Sequence, residues 1–171
     1  MTEQNNPFHK KKSGVFFFKS SNPYEFYDLL NGIDMEPKQD VWGTLIFPEN
    51  AKLPCPVIVP IHGSAGLREG HHTHMVNLLE AGFAVFRIHH FESRGVISIV
   101  ENQTQVTLAT MITDAFRALA LLNKHPDIDK NKIGIMGWSL GGSTALYAAW
   151  QPIIDALTSG DEKFSAYLPL Y

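Results

Sequence analysis

The sequence predicts an α/β domain with a mostly parallel sheet and helices on both faces, on three observations. Short apolar runs rich in β-branched and aromatic residues alternate with stretches of helical periodicity. Two glycine-containing turns fall at the carboxyl ends of such runs, where open α/β sheets bind ligands. The 171 residues, 44% hydrophobic and 18% charged, suffice for one packed core. Strand–helix–strand units of this kind join by right-handed crossovers. No repeat, low-complexity tract or linker interrupts the chain, so residues 1–171 read as a single domain.

Each element has its own signal. Val41 to Pro48 (VWGTLIFP) and Pro56 to Ile61 (PVIVPI) read as strands, and Pro60, which cannot donate to a ladder, belongs near the end of the second. Met75, Leu78 and Leu79 give His72 to Ala81 a helical period, and Gly82 stands where a helix is commonly closed by glycine. Phe83 to Ile88 (FAVFRI) is a third strand. Leu108, Met111, Ile112, Ala115, Leu119 and Leu122 recur at helical spacing, so Thr104 to Lys124 is a helix that Pro126 stops. Ile133 to Met136 is a buried strand, and Phe164 to Tyr171 reads as the strand that follows the next helix. Residues 1–40 should add an antiparallel edge strand or hairpin of unspecified path.

Charge and composition exclude several classes. A net charge of −3 and a pI near 6.2 give no electrostatic reason for a nucleic-acid or anionic-membrane partner, and the basic run His9 to Lys12 reads as a solvated tail. No apolar run reaches spanning length, and the run after Lys12 is too short for a signal-peptide core, which predicts a soluble protein. The single cysteine, Cys55, excludes an internal disulfide framework and fits the reducing cytoplasm. His71, His72 and His74 are compact enough to suggest zinc, but no carboxylate or cysteine stands at motif spacing, so no metal and no cofactor are expected. A solvated helix start is the plainer reading of the three.

The chemistry concentrates in the two turns. Gly137-Trp138-Ser139-Leu140-Gly141-Gly142 is a G-x-S-x-G between a strand and a helix, the context in which a serine is displayed on a tight, strained turn as a nucleophile. His62-Gly63-Ser64-Ala65-Gly66 follows the strand ending at Ile61. An acyl-transfer serine needs N–H donors at the developing oxyanion, one from the residue after it and one from a neighbouring loop. Leu140 and Ser64 are placed to supply them.

These blocks together resemble the dienelactone hydrolase family of the α/β-hydrolase superfamily. The resemblance runs from about Ser20 to Tyr171, through SNPYEFYDLL, GTLIFPE, PVIVPIHGSAGL, EAGFAVFRIHHFESRGV, DAFRALALL, HPDIDKNKIGIMGWSLGG and FSAYLPLY. It implies an α/β-hydrolase fold and hydrolysis of a small-molecule carboxylic ester or lactone through an acyl-enzyme on Ser139. It also implies that Arg94 holds a substrate carboxylate; His62, beside the oxyanion loop, is the other candidate substrate contact. The dienelactone hydrolases proper carry cysteine where this chain has Ser139, which points to the broader serine esterases. Cys55 cannot substitute, since it precedes its strand and so lies at the opposite end of the sheet. His89-His90 replaces an aspartate found in many relatives, and the sequence offers no reason for the pair.

In this fold the triad runs serine, acid, histidine. Asp155, Asp161 and Glu162 follow Ser139, but none of the eight histidines does. The resemblance puts acid and histidine on loops beyond two further strands, so the fold is expected to be incomplete at its C-terminus and residues 1–171 to be inactive alone. The alternatives are a non-catalytic hydrolase-like binding domain and a prolyl-oligopeptidase-like peptidase fragment.

Overall fold

A computed structural model describes residues 13–158 and 162–171; the basic run His9 to Lys12 and Asp161 lie outside them. The strands are β1 (Gly14–Ser20), β2 (Gln39–Ile46), β3 (Cys55–Ile61), β4 (Ala84–Ile88), β5 (Ile128–Trp138) and β6 (Ala166–Leu170). The helices are α1 (Phe26–Asn31), α2 (Glu69–Glu80), α3 (Leu108–Leu122), α4 (Leu140–Tyr147) and α5 (Gln151–Leu157), with a 3-10 turn at Glu92–Arg94.

The six strands form one sheet in the order β1-β2-β4-β3-β5-β6. β4, β3, β5 and β6 are mutually parallel, whereas β1–β2 and β2–β4 are antiparallel. The expected N-terminal edge segment is therefore present as β1, paired from Gly14 with Leu45 to Ser20 with Gln39. The short helix α1, closed by Gly32 at φ 70°, was not legible beforehand.

The long helix begins later than its periodicity suggests, because the Thr107 side chain accepts the Thr110 N–H and caps it. Eleven of the fifteen residues of α3 are buried, so it is a core helix, not a surface one. β5 is longer than the apolar core that announces it: its first half, around Asp129 to Lys132, is polar and exposed. Pro60 sits opposite Met136, one residue from the end of β3.

α1, α3, α4 and α5 contact one another on one face of the sheet. The chain runs β3–α2–β4 toward one edge and then β4–α3–β5 back past β3. Right-handed crossovers in opposite directions put α2 on the other face. β3 and β4 thus send their carboxyl ends to opposite faces, which makes a crevice beyond them the natural ligand position. A cleft of about 370 Å³ opens there, lined by His62, Gly66, Arg68, Arg87, Glu92 and Ile97 among others. No helix among the described residues is long and apolar enough to cross a membrane.

Candidate functional site

Ser139 lies at the turn from β5 to α4 with φ 53° and ψ −116°, a region that a residue with a Cβ enters only under constraint. The constraint is the packing of three backbones. A Cβ on Gly137 would lie 2.0 Å from Gly141 O, one on Gly141 would lie 2.1 Å from Ile61 O, and one on Gly142 would lie 2.2 Å from Leu170 O. Only hydrogen fits at these positions, so the start of α4 presses directly onto the ends of β3 and β6. The Ser139 N–H donates to Leu170 O at 3.0 Å, fixing the serine from the β6 side. The residue itself is exposed at the carboxyl edge of the sheet.

The second turn abuts the first. A Cβ on Gly63 would come 3.3 Å from Ser139 Cβ and 3.2 Å from Trp138 O, so a side chain there would press on the serine. Gly63 O accepts two donors, the Gly66 N–H at 3.0 Å and the His62 Nδ1–H at 2.9 Å, which tie the turn into a compact loop. Ser64 O accepts the Ile99 N–H at 2.8 Å, anchoring the loop to the segment after the 3-10 turn. The Leu140 N–H belongs to the first turn of α4, where the leading N–H groups have no intrahelical acceptor. Ser139, Ser64 and Leu140 are therefore brought to one edge of the sheet by contiguous backbone.

His62 is 2% exposed, wedged edge-on against Phe91 at 4.4 Å and His90 at 5.7 Å. Burial first, and the positive potential of His90 second, lower its pKa to about 4, so the ring is neutral at neutral pH. Neutral His62 carries its proton on Nδ1, because only a donor can meet the Gly63 carbonyl. Its bond secures the loop.

Arg94 stands elsewhere than at an open carboxylate subsite. Its guanidinium forks onto Asp114, Nη1 to Oδ2 at 2.8 Å and Nη2 to Oδ1 at 3.0 Å, while Nε donates to Asn22 Oδ1 and Nη1 also reaches His90 O. With a side chain 7% exposed, its donors are committed inside the protein. His90 Nδ1–H donates to the same Asp114 carboxylate at 2.8 Å, and Ser20 Oγ donates to its other oxygen. Burial pushes the Asp114 pKa up, but the His90 hydrogen bond and the Arg94 charge outweigh it and hold the carboxyl below its ordinary value.

The His89-His90 pair thus acquires a physical reason: His90 joins this buried cluster, while His89 stacks on Trp42 at 5.5 Å and hydrogen-bonds Thr44 Oγ1. Sequence reasoning missed Asp114 as a hub. Its signal was a carboxylate among Met111, Ile112 and Ala115 on the core stripe of α3, where an unpaired charge would be untenable.

The three histidines of α2 are not simply solvated. His71 is half-buried and stacks on Trp138 at 4.4 Å and 25°; His74, itself exposed, lies at 5.6 Å and 36° from the same indole, and His72 is exposed. Among the described residues no group of three or more His, Cys, Asp or Glu side chains is disposed to hold a metal ion. Cys55 is buried at the amino end of β3, and burial raises its thiol pKa, consistent with an inert side chain.

With this geometry in hand, comparison with known families is decisive at one level. The BD-FAE family model matches residues 44–166, most of the chain, including both turns. The chain belongs to the BD-FAE family. Solved structures similar to this BD-FAE chain share the α/β-hydrolase fold. A Klebsiella pneumoniae protein assigned as a dienelactone hydrolase has a TM-score of 0.57 at 19% identity, over 82% of this chain and 57% of that one. Est1E from Butyrivibrio proteoclasticus, solved with ferulic acid bound, has a TM-score of 0.52 at 24% identity, over 67% and 45%. A thermostable carboxyl esterase from Bacillus coagulans has a TM-score of 0.52 at 16% identity, over 82% and 41%. The BD-FAE chain therefore spans about half the length of these structures. No curated protein matches it significantly.

Proposed function

We propose that this BD-FAE chain carries the nucleophile and oxyanion-hole half of a serine ester hydrolase. The observation that supports this most is the strained, exposed Ser139 at a strand-to-helix turn, touched by the Gly63–Ser64 loop. In the proposed reaction Ser139 Oγ attacks the ester carbonyl, forming a C–O bond as its proton passes to a base. The oxyanion is received by the Ser64 and Leu140 N–H groups. Collapse breaks the ester C–O bond, the alcohol leaves with that proton, and water then releases the acid from Ser139.

The base is not His62. Its Nδ1–H is engaged by Gly63 O, its ring is packed beneath the loop, and protonation is resisted down to about pH 4. We assign acid and base to polypeptide other than residues 1–171, so this chain alone should turn over poorly: loss of a triad base costs on the order of 10⁶ in kcat. The substrate class is a small-molecule carboxylic ester or lactone.

A panel of p-nitrophenyl esters tests this reading on the 171-residue chain, on its Ser139→Ala and His62→Ala variants, and on a version extended by polypeptide carrying an aspartate and a histidine. Weak turnover that rises with the extension and vanishes in Ser139→Ala supports it. Robust turnover by 171 residues, lost in His62→Ala, would overturn the assignment of the base.

A further inference from the structure

His71 joins the two functional turns. Its Nδ1 accepts the Arg68 N–H at 3.0 Å, and Arg68 closes the segment that continues from the Gly63–Gly66 loop into α2. The opposite end of the contact is Trp138, the residue before Ser139, on which the imidazole lies nearly flat at 4.4 Å. His74, one turn further along α2, adds a tilted contact to the same indole at 5.6 Å. A continuous path therefore runs from the loop that presents the Ser64 N–H, through Arg68 N–H, the His71 ring and the Trp138 ring, to the backbone of Ser139.

We propose that His71, seconded by His74, is a positioning residue that sets the spacing between the Ser64 N–H and Ser139 by clamping α2 onto Trp138. The proposal rests on the ester-hydrolase reading and deepens it. The clamp has a physical basis on both sides. The β3–β5 ladder holds the two turns together as far as Ile61 opposite Gly137, and beyond it Gly63 offers no side chain to lock the separation from Ser139. An oxyanion hole depends on each donor's placement: removing one donor altogether costs on the order of 10²–10³ in rate. A stacked aromatic pair attracts beyond the burial of its area, enough to bias a short loop without being indispensable to the fold. The tautomer is fixed too, because Nδ1 must be bare to accept from Arg68. Burial, and then the charges of His74, His72 and Arg68, lower the His71 pKa, which keeps that nitrogen free near neutral pH.

A thiol at position 139 lets the oxyanion hole be read without a base. In a Ser139→Cys background the thiol is acylated by p-nitrophenyl acetate, which develops an oxyanion, and alkylated by iodoacetamide, which does not. The ratio of the two rate constants isolates donor geometry from exposure and thiol pKa. Buried Cys55 contributes the background, measured on the chain with Ser139 intact.

The expected result is that His71→Ala lowers the ratio by roughly tenfold or more, that His74→Ala lowers it less, and that His71→Phe, which keeps the stack, recovers most of it. Thr73→Ala, an exposed change on the same helix, should leave it alone. If His71→Ala does not fold, His71→Phe and His74→Ala carry the comparison. A ratio unchanged in His71→Ala, or lowered equally in Thr73→Ala, overturns the clamp. A Ser139→Cys ratio no higher than that of N-acetylcysteine instead contradicts the hydrolase reading itself.

Discussion

Buried titratable groups decide most of what single residues do here. His62 is held neutral with a pKa of about 4 against an ordinary value of 6.5. A depressed histidine stabilises the fold fully above pH 6.5, and that contribution is lost as pH falls toward 4, because the unfolded chain takes up a proton the folded chain resists. The gap corresponds to about 3 kcal/mol. Urea unfolding midpoints should therefore fall between pH 7 and pH 4.5, and His62→Gln should flatten that fall; an equally steep fall in the variant would contradict the assignment. Asp114 works in the same direction at lower pH: its depressed carboxyl stabilises above the ordinary carboxylate range and loses that contribution as pH falls below it. Asp114→Asn would leave the buried Arg94 guanidinium without its counter-charge, at a cost of about 3–5 kcal/mol, measurable as a collapse of the urea midpoint at pH 7.

The turns that carry Ser139 and Ser64 were legible because glycine spacing and strand context are local signals. Arg94, His90 and His71 were not. Their roles depend on Asp114 and Trp138, partners 20, 24 and 67 positions away, and no periodicity reports which side chains meet across a sheet edge.

At the scale of elements, the same contrast explains which boundaries were visible. α3 carries apolar residues at helical spacing that face the core and β3 a nearly continuous buried apolar run, so their existence follows from pattern, while α2 shows the period but buries only Met75. α1 has one buried residue and β5 begins in polar sequence, so neither start is marked by hydrophobicity. The critical joint is the β5–α4 turn, where backbone meets backbone. Gly141→Ala would set a methyl 2.1 Å from Ile61 O, and rigid backbone cannot yield as a side-chain end would. That overpacking should cost about 3 kcal/mol or more and displace Ser139. Thermal unfolding together with the acylation ratio in the Ser139→Cys background should show both losses; a variant with unchanged midpoint and ratio would show that the close approach of α4 to β3 is not what strains the serine.

The molecule as a whole brings its two glycine-containing turns to one edge of a six-stranded sheet. Four parallel strands aim their carboxyl ends at one edge, and there the β5–α4 turn and the loop after β3 converge, with the cleft beyond β3 and β4 alongside. The far side of the sheet ends at β6, whose Leu168 and Leu170 are exposed. Leu170 O faces β5 by accepting the Ser139 N–H, so by the alternation of a strand Pro169 turns its nitrogen outward, where a missing donor costs this ladder nothing. The proposed reaction begins with transfer of an acyl group to Ser139. The most direct measurement is therefore peptide mapping by mass spectrometry after prolonged incubation of the 171-residue chain with p-nitrophenyl acetate at neutral pH. Acetyl on Ser139, in excess over every other serine and absent at that position in Ser139→Ala, is the expected result; acetyl confined to exposed lysines, with Ser139 unmodified, would contradict its role as the nucleophile.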